Sequence, residues 1–315
     1  GGAPPIETDE VLTSGTNHAC SLEDDGSIVC WGIGTDPNTD EIQSQAAKTF
    51  GHSDHDQAVP PTGQFKHVAA AADSSCAVKS DGSLTCWGEL DSAPGGHNYA
   101  RVDVTGSAIC ALRDDQSMVC WKNESGFPQF VDSQKTYTEF SILQDFMCGV
   151  TASHELNCWD LNPDEPSGYD EHKIPSGKFE HVAVSEKASC GARPDGTVVC
   201  WGEGIGTPCG QQNCDETREP LSKTYDFEVF EAGAKQHFCG ITTSGEAVCF
   251  THGQKLQSDY VKRPHDADPV DVSLGWFHAC WRYADGRLTC DSSETWEMGI
   301  GLDRDMTPPD SIDGD

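Results

Sequence analysis

The sequence predicts an all-β fold, a ring of seven small sheets of the β-propeller type, and three observations predict it. Two cysteines stand ten positions apart seven times along the chain: Cys20 and Cys30, Cys76 and Cys86, Cys110 and Cys120, Cys148 and Cys158, Cys190 and Cys200, Cys239 and Cys249, and Cys280 and Cys290. An apolar residue stands eight positions before the first cysteine in six of these units, at Leu12, Val68, Val102, Phe140, Val182 and Val272. Successive first cysteines lie 34 to 56 residues apart, and repetition at that period marks a repeat architecture. A sheet of a few short strands cannot bury its faces alone, so copies pack face to face, and a closed ring dispenses with the capping repeats that an open solenoid needs.

Each unit begins with a strand. An aromatic residue precedes the apolar position by three in several units, as Phe65, Tyr99, Tyr137 and Phe179, and unit six matches through Phe227 and Phe230 with one extra residue. Small residues follow, then the first cysteine, so a strand enters a tight loop. Next comes a hairpin. If Asp24, Asp25 and Gly26 form the loop, Glu23 faces Ser27, Leu22 faces Ile28, and Cys20 lands opposite Cys30. A three-residue hairpin loop ends on a left-handed residue, which suits glycine. Gly26, Gly82, Gly196, Gly245 and Gly286 obey, while Gln116 and His154 replace glycine in units three and four and imply turns of a different shape there. The third strand ends in Cys-Trp at Trp31, Trp87, Trp121, Trp159 and Trp201, with Phe250 and Asp291 in the last two units.

Opposed residues of an antiparallel pair stand at a separation that a disulfide spans, so each cysteine pair predicts a cross-strand staple. Zinc and iron–sulfur sites bunch their thiolates over two to four residues, which a spacing of ten does not do. The remaining two of the 16 cysteines, Cys209 and Cys214, are close enough for a local bridge that stiffens a loop. Eight disulfides imply an oxidising compartment: secreted, periplasmic or cell-surface.

Lys plus Arg number 20 against 52 Asp plus Glu, a net charge of −32, so phosphate backbones and anionic membrane surfaces are repelled. Nucleic acid is thereby excluded as a partner. No stretch has the length of a transmembrane helix and no signal-peptide pattern opens the chain, so Gly1-Gly-Ala-Pro-Pro5 reads as a mature terminus or a tether.

The whole of residues 1–315 reads as one propeller, with repeats over 12–32, 65–88, 99–121, 137–159, 179–202, 227–250 and 270–291. Insertions occupy 33–64, 160–178 and 203–225. In the first, Ile42, Ala46 and Phe50 recur at four-residue steps before Gly51 and predict a short amphipathic helix on the rim. His52 and His55 follow it, imidazoles close enough to share a Zn²⁺ or Cu²⁺ ion, though a polar surface loop explains them as well. In the second, Asp160, Asn162, Asp164 and Glu171 take the order of a calcium loop, with Glu165 where the sharp turn needs glycine. The third carries Cys209 and Cys214. Catalytic motifs are lacking: there is no Gly-x-Ser-x-Gly, no His-Glu-x-x-His and no glycine-rich phosphate loop.

The stretch His18-Ala-Cys-Ser-Leu-Glu-Asp-Asp-Gly-Ser-Ile-Val-Cys-Trp-Gly32 resembles the repeat of the regulator-of-chromosome-condensation family, His-x-x-x-Leu-x-x-x-Gly-x-Val-x-x-Trp-Gly. The resemblance runs from about Leu12 to Leu302. It implies a seven-bladed β-propeller, and the setting is similar to the secreted bacterial branch that includes a propeller-type β-lactamase inhibitor. The cysteines and the charge set the chain apart from the nuclear exchange factor of the family. His18, His237 and His278 match the repeat histidine, which implies a structural role for them.

Propeller loops gather at the ends of the axis. Those just before each first cysteine differ between units while the cysteine frame is constant, the mark of a display scaffold. They supply Asn17, Asp73, Asp145, Phe146, Lys187, Lys235, Trp276 and Phe277 as candidate binding residues, the aromatics as anchors if exposed. The expected function is a monomeric extracellular or cell-surface scaffold for a protein partner, of inhibitor or adhesion type. It is not an enzyme and needs no cofactor unless the 160–171 loop takes calcium. A glycan-binding propeller and a metal-dependent enzyme built on the insertions are the other two readings. Either Pro4–Leu12 or the tail Thr307–Ile312 is expected to complete the last sheet and close the ring.

Overall fold

A computed structural model describes residues 11–32, 55–90, 92–122, 128–130, 134–144, 146–161, 174–185, 188–202, 223–233, 237–251, 269–276 and 278–292. The expected helix of 39–51, the bridge between Cys209 and Cys214, and both terminal closing segments up to residue 10 and from 293 lie outside them.

The described residues form seven antiparallel sheets, each from one continuous stretch of chain, six of three strands and one of four. Blade one holds β1 (Leu12–Ser14), β2 (His18–Leu22) and β3 (Ile28–Gly32). Blade two holds β4 (Phe65–Ala71), β5 (Ser74–Lys79) and β6 (Leu84–Gly88), and blade three β7 (Tyr99–Val104), β8 (Ala108–Arg113), β9 (Met118–Lys122) and β10 (Pro128–Phe130). Blade four is β11 (Tyr137–Leu143), β12 (Phe146–Thr151) and β13 (Leu156–Asp160), and blade five β14 (His181–Val184), β15 (Ala188–Ala192) and β16 (Val198–Gly202). Blade six is β17 (Phe227–Ala232), β18 (His237–Thr242) and β19 (Ala247–Thr251), and blade seven β20 (Pro269–Leu274), β21 (His278–Tyr283) and β22 (Leu288–Ser292). The first strand of each blade packs on the first strand of the next, and β20 packs on β1, so the ring closes.

The hairpin register is the one the cysteine spacing demands. In blade one Cys20 opposes Cys30 and Leu22 opposes Ile28. The same opposition recurs for Cys76 with Cys86, Cys110 with Cys120, Cys148 with Cys158, Cys190 with Cys200, Cys239 with Cys249 and Cys280 with Cys290. All seven pairs are disulfide-bridged as the spacing predicts, with α-carbons 4.0–4.1 Å apart. That separation belongs to the non-hydrogen-bonded positions of an antiparallel ladder, where side chains stand closest. The turns with Gln116 and His154 do not differ in shape, contrary to the sequence expectation. Their φ angles are +65° and +63°, beside +78° to +82° at the five glycines, so the ladder imposes the left-handed residue whatever its side chain. Five turns are further tied by an aspartate that accepts the amide two residues on: Asp25 from Ser27, Asp81 from Ser83, Asp115 from Ser117, Asp195 from Thr197 and Asp285 from Arg287. Hydrogen bonds from the Ser27 hydroxyl and amide hold the Asp25 carboxyl below the usual range.

The aromatic-x-x-apolar spacing of the first strands is explained by a bulge. Residues three apart on a regular strand face opposite ways, yet Phe65 and Val68 are both buried. The register shifts between Phe65 and His67, and at the same place in blades three, four, six and seven, so one extra residue returns both side chains to the core face. In blade six Phe230 opposes Gly240 as Val182 opposes Gly191, so its extra residue lies in the loop after β17. The core is thus a succession of clusters between neighbouring blades, such as Phe146, Cys148, Val182, Val184 and Cys190 at the junction of blades four and five.

The innermost strand of each sheet has one edge with no neighbouring strand, and its N–H groups need acceptors. Side chains of the preceding blade supply them. Thr13 Oγ1 accepts from Ala70 N (2.8 Å), Glu139 Oε1 from Val182 N (2.7 Å) and Ser141 Oγ from Val184 N (3.0 Å). The ring is closed in the same way: Asp271 Oδ2 accepts from Val11 N and Leu12 N, each at 3.0 Å. Arg282 reaches across the same seam to Leu22 O (3.3 Å) and Asp24 Oδ1 (3.2 Å). Leu12 belongs to blade one, as its repeat position predicts, and the part of Pro4–Leu12 before Val11, expected to complete the last sheet, lies outside the described residues. Leu12–Ser14 is the first strand of blade one, because its apolar side chain fits the repeat position beside Ser21 of β2.

Candidate binding face and axial channel

The seven first strands enclose an axial channel of about 700 Å³. At one end it is ringed by the loops that join first to second strands. Neighbouring loops touch: Thr16 N donates to Ala72 O (3.1 Å), and Gly275 is packed so closely on Gly15 that a β-carbon would stand 2.7 Å from the Gly15 oxygen. Among the described residues, loops of blades seven, one and two, from distant parts of the chain, therefore make one stretch of rim.

That contact also decides what the rim can display. Asn17 (2% exposed), Asp73 (8%) and Phe146 (2%) are buried, which corrects their expected place as contact residues. The loops lean on one another, so side chains at their centres face neighbouring blades; Phe146 belongs to the core between blades four and five. Trp276 is half-buried and lines the channel mouth, and Gln144, from the same loop as Asp145 and Phe146, is exposed there with φ +53°. Asp145, Lys187, Lys235 and Phe277 lie outside the described residues.

Of the metal-ligand candidates, His55 is exposed and Asp160 half-buried, while His52, Asn162, Asp164 and Glu171 lie outside the described residues. Among the described residues no group of three or more His, Cys, Asp or Glu is placed to hold a metal ion.

The repeat histidines are built into the rim. His18 lies against Gly15, where a β-carbon would come within 2.6 Å of its Nδ1, and His278 lies against Gly275 in the same way. Glycine is needed at these two places because the ring occupies the side-chain space. His18 Nε2 is 2.8 Å from Ser75 Oγ, and Ser75 donates to the carbonyl of Gln57 (3.2 Å), so His18 is the donor of the first bond. Trp87 Nε1 donates to the same carbonyl at 2.9 Å. Burial, reinforced by the charge of His278, pushes the His18 pKa down to about 3, so the ring is neutral at any physiological pH.

His181 also links blades. Its Nε2 donates to Phe227 O of blade six (2.9 Å), and its Nδ1 lies 2.8 Å from Glu139 Oε2 of blade four. One side chain thereby ties three consecutive blades together at the channel wall.

These features are those of known propellers. The chain is similar to the ectodomain of the Arabidopsis thaliana receptor kinase ACR4, with 17% identity over 90% of this chain and 98% of that one and a TM-score of 0.62. It is similar to the entire ectodomain of the Physcomitrella patens receptor kinase CR4, with 17% identity over 90% of this chain and 73% of that one and a TM-score of 0.63. Prp20p of Saccharomyces cerevisiae, described with its binding to Gsp1p and histones, matches with 14% identity over 84% of this chain and 80% of that one and a TM-score of 0.55. The fold is the seven-bladed propeller of the regulator-of-chromosome-condensation type. No protein-family model and no curated protein sequence matches the chain. One disulfide in every blade is a feature of a protein that matures in an oxidising compartment.

Proposed function

We propose that the protein is a secreted or surface-held, non-catalytic scaffold that binds a protein partner through the rim of first-to-second-strand loops, as an inhibitor or adhesion module does. It acts as a monomer and without a cofactor. The observation that carries this reading is the rim itself: loops of differing sequence set on stapled hairpins of one register, those of blades seven, one and two held to one another. Rigid presentation lowers the entropy lost on binding, which favours recognition of a shaped protein surface. Gln144 and Trp276 are the described residues offered to that partner.

The tryptophans weigh against the glycan reading. Trp31, Trp87, Trp201 and Trp281 are buried and Trp121, Trp159 and Trp276 half-buried, so no flat aromatic platform is exposed among the described residues. The test is to screen the purified protein on arrays of secreted proteins and of glycans, then to repeat any hit with Gln144→Ala and Trp276→Ala together. A protein hit weakened about tenfold or more by the pair is expected, a loss typical of removing anchor residues. A glycan hit, or a protein hit that the pair leaves intact, overturns the reading.

A further inference from the structure

The axial channel changes character along its length. Near the loop rim its wall is small and mostly apolar, with Ser14, Ala70, Ala71, Val104, Ile142 and Leu274 from five blades. Towards the hairpin end the same set of strands contributes charge. Asp103, Glu139, Glu180, Glu228 and Glu231 line it against a single guanidinium, Arg101, among the described residues. Glu139 is engaged by His181 and by Val182 N, but Glu180 and Glu228 stand exposed on adjacent blades. Glu228 is the bulged residue of β17, and a bulge re-aims a side chain. Ser14 Oγ, in the apolar collar, is buried without a hydrogen-bond partner among the described residues.

We propose that this channel is a binding site for an alkyl chain ending in a cation, presented by the protein partner as a lysine or arginine side chain inserted from the loop rim. The proposal rests on the reading of that rim as the docking face. The aliphatic stem lies in the collar of Ala70, Ala71, Val104 and Ile142, and the charged end reaches the carboxylate zone. Long basic side chains divide in this way wherever an apolar surface adjoins an anionic one. A neutral or acidic chain of the same length gains only the collar or is repelled.

Hexylammonium serves as the probe, with hexanol and hexanoate as its neutral and acidic counterparts, and binding to the intact protein is read by calorimetry or ligand-observed NMR. Hexylammonium is expected to bind, hexanol more weakly and hexanoate not at all. Ala71→Leu, which fills the collar and leaves the charge unchanged, is expected to weaken hexylammonium about tenfold or more, as is Glu231→Gln. Glu246→Gln removes the same charge from an exposed hairpin turn and is expected to leave binding unchanged. Equal binding by wild type and Ala71→Leu, equal effects of Glu231→Gln and Glu246→Gln, or no binding by the wild type would overturn the proposal. Those outcomes are separate from the fate of the rim: a partner hit sensitive to Gln144 and Trp276 survives them, and hexylammonium binding survives the loss of any such hit.

Discussion

Replacing Asp271 with alanine removes the acceptor that holds the last blade to the first. The carboxylate is 1% exposed, and its Oδ2 takes both Val11 N and Leu12 N at 3.0 Å. Hydrogen bonds to a charged partner contribute about 1.5–3 kcal/mol each, and the amides left behind sit at a buried edge, so a loss of about 3–5 kcal/mol is expected. Asp271→Asn retains a single carbonyl oxygen, which must serve either the two amides across the seam or Val272 N, so about half that loss follows. Asp24→Asn is the contrast. It breaks the ion pair with Arg282 across the same seam, but Asp24 is fully exposed, and no measurable change is expected. The assay is denaturant unfolding with the disulfides intact, together with amide exchange at Leu12. Alanine at 271 should lower the midpoint and release Leu12 ahead of the other first strands. A midpoint equal to the wild type, or protection lost evenly from all blades, would refute the idea that side-chain acceptors latch the ring.

Two further predictions follow from local geometry. Gly286 has φ +82° and, among the described residues, nothing near the position a β-carbon would take, so Gly286→Ala reads the cost of a left-handed backbone, about 1–2 kcal/mol in the unfolding free energy; an unchanged stability would contradict the turn assignment. His18 has its pKa lowered from 6.5 to about 3 by burial and by His278, so the unfolded chain binds a proton that the folded one refuses between those values. The stability this supplies is complete above about pH 6.5 and falls as the pH drops towards 3, by on the order of 4 kcal/mol, and unfolding midpoints of wild type and His18→Gln should converge on acidification. A parallel pH dependence of the two would mean that His18 is not the buried titrating group.

Much of the architecture was legible because it follows from spacing. Ten positions between cysteines, with a three-residue loop, can only place Cys20 opposite Cys30, and the structure adopts that register seven times. The aromatic three residues before the apolar position was visible too, but a strand of period two gives no reason for a spacing of three. The bulge supplies it. What spacing could not show is the set of contacts between blades. Thr13, Glu139, Ser141 and Asp271 accept amides of the next blade, yet they share no residue type, and in the case of Asp271 the partner is 260 positions away. The same blindness affected the rim. Asn17, Asp73 and Phe146 occupy loop positions in the sequence, and only the contact of each loop with its neighbour, as between Thr16 and Ala72, turns them inward. Gln57, from the insertion before blade two, likewise gave no hint that its carbonyl would cap both Ser75 and Trp87.

The staples within single hairpins are the premise on which rigid loop display stands, and they can be read directly. Digestion of the native, alkylated but unreduced protein, followed by mass spectrometry, should return each of the seven pairs, from Cys20 with Cys30 to Cys280 with Cys290, as a bridged peptide spanning one turn, with no alkylated cysteine among those fourteen. Alkylated thiols at these positions, or peptides that join cysteines of different blades, would contradict it.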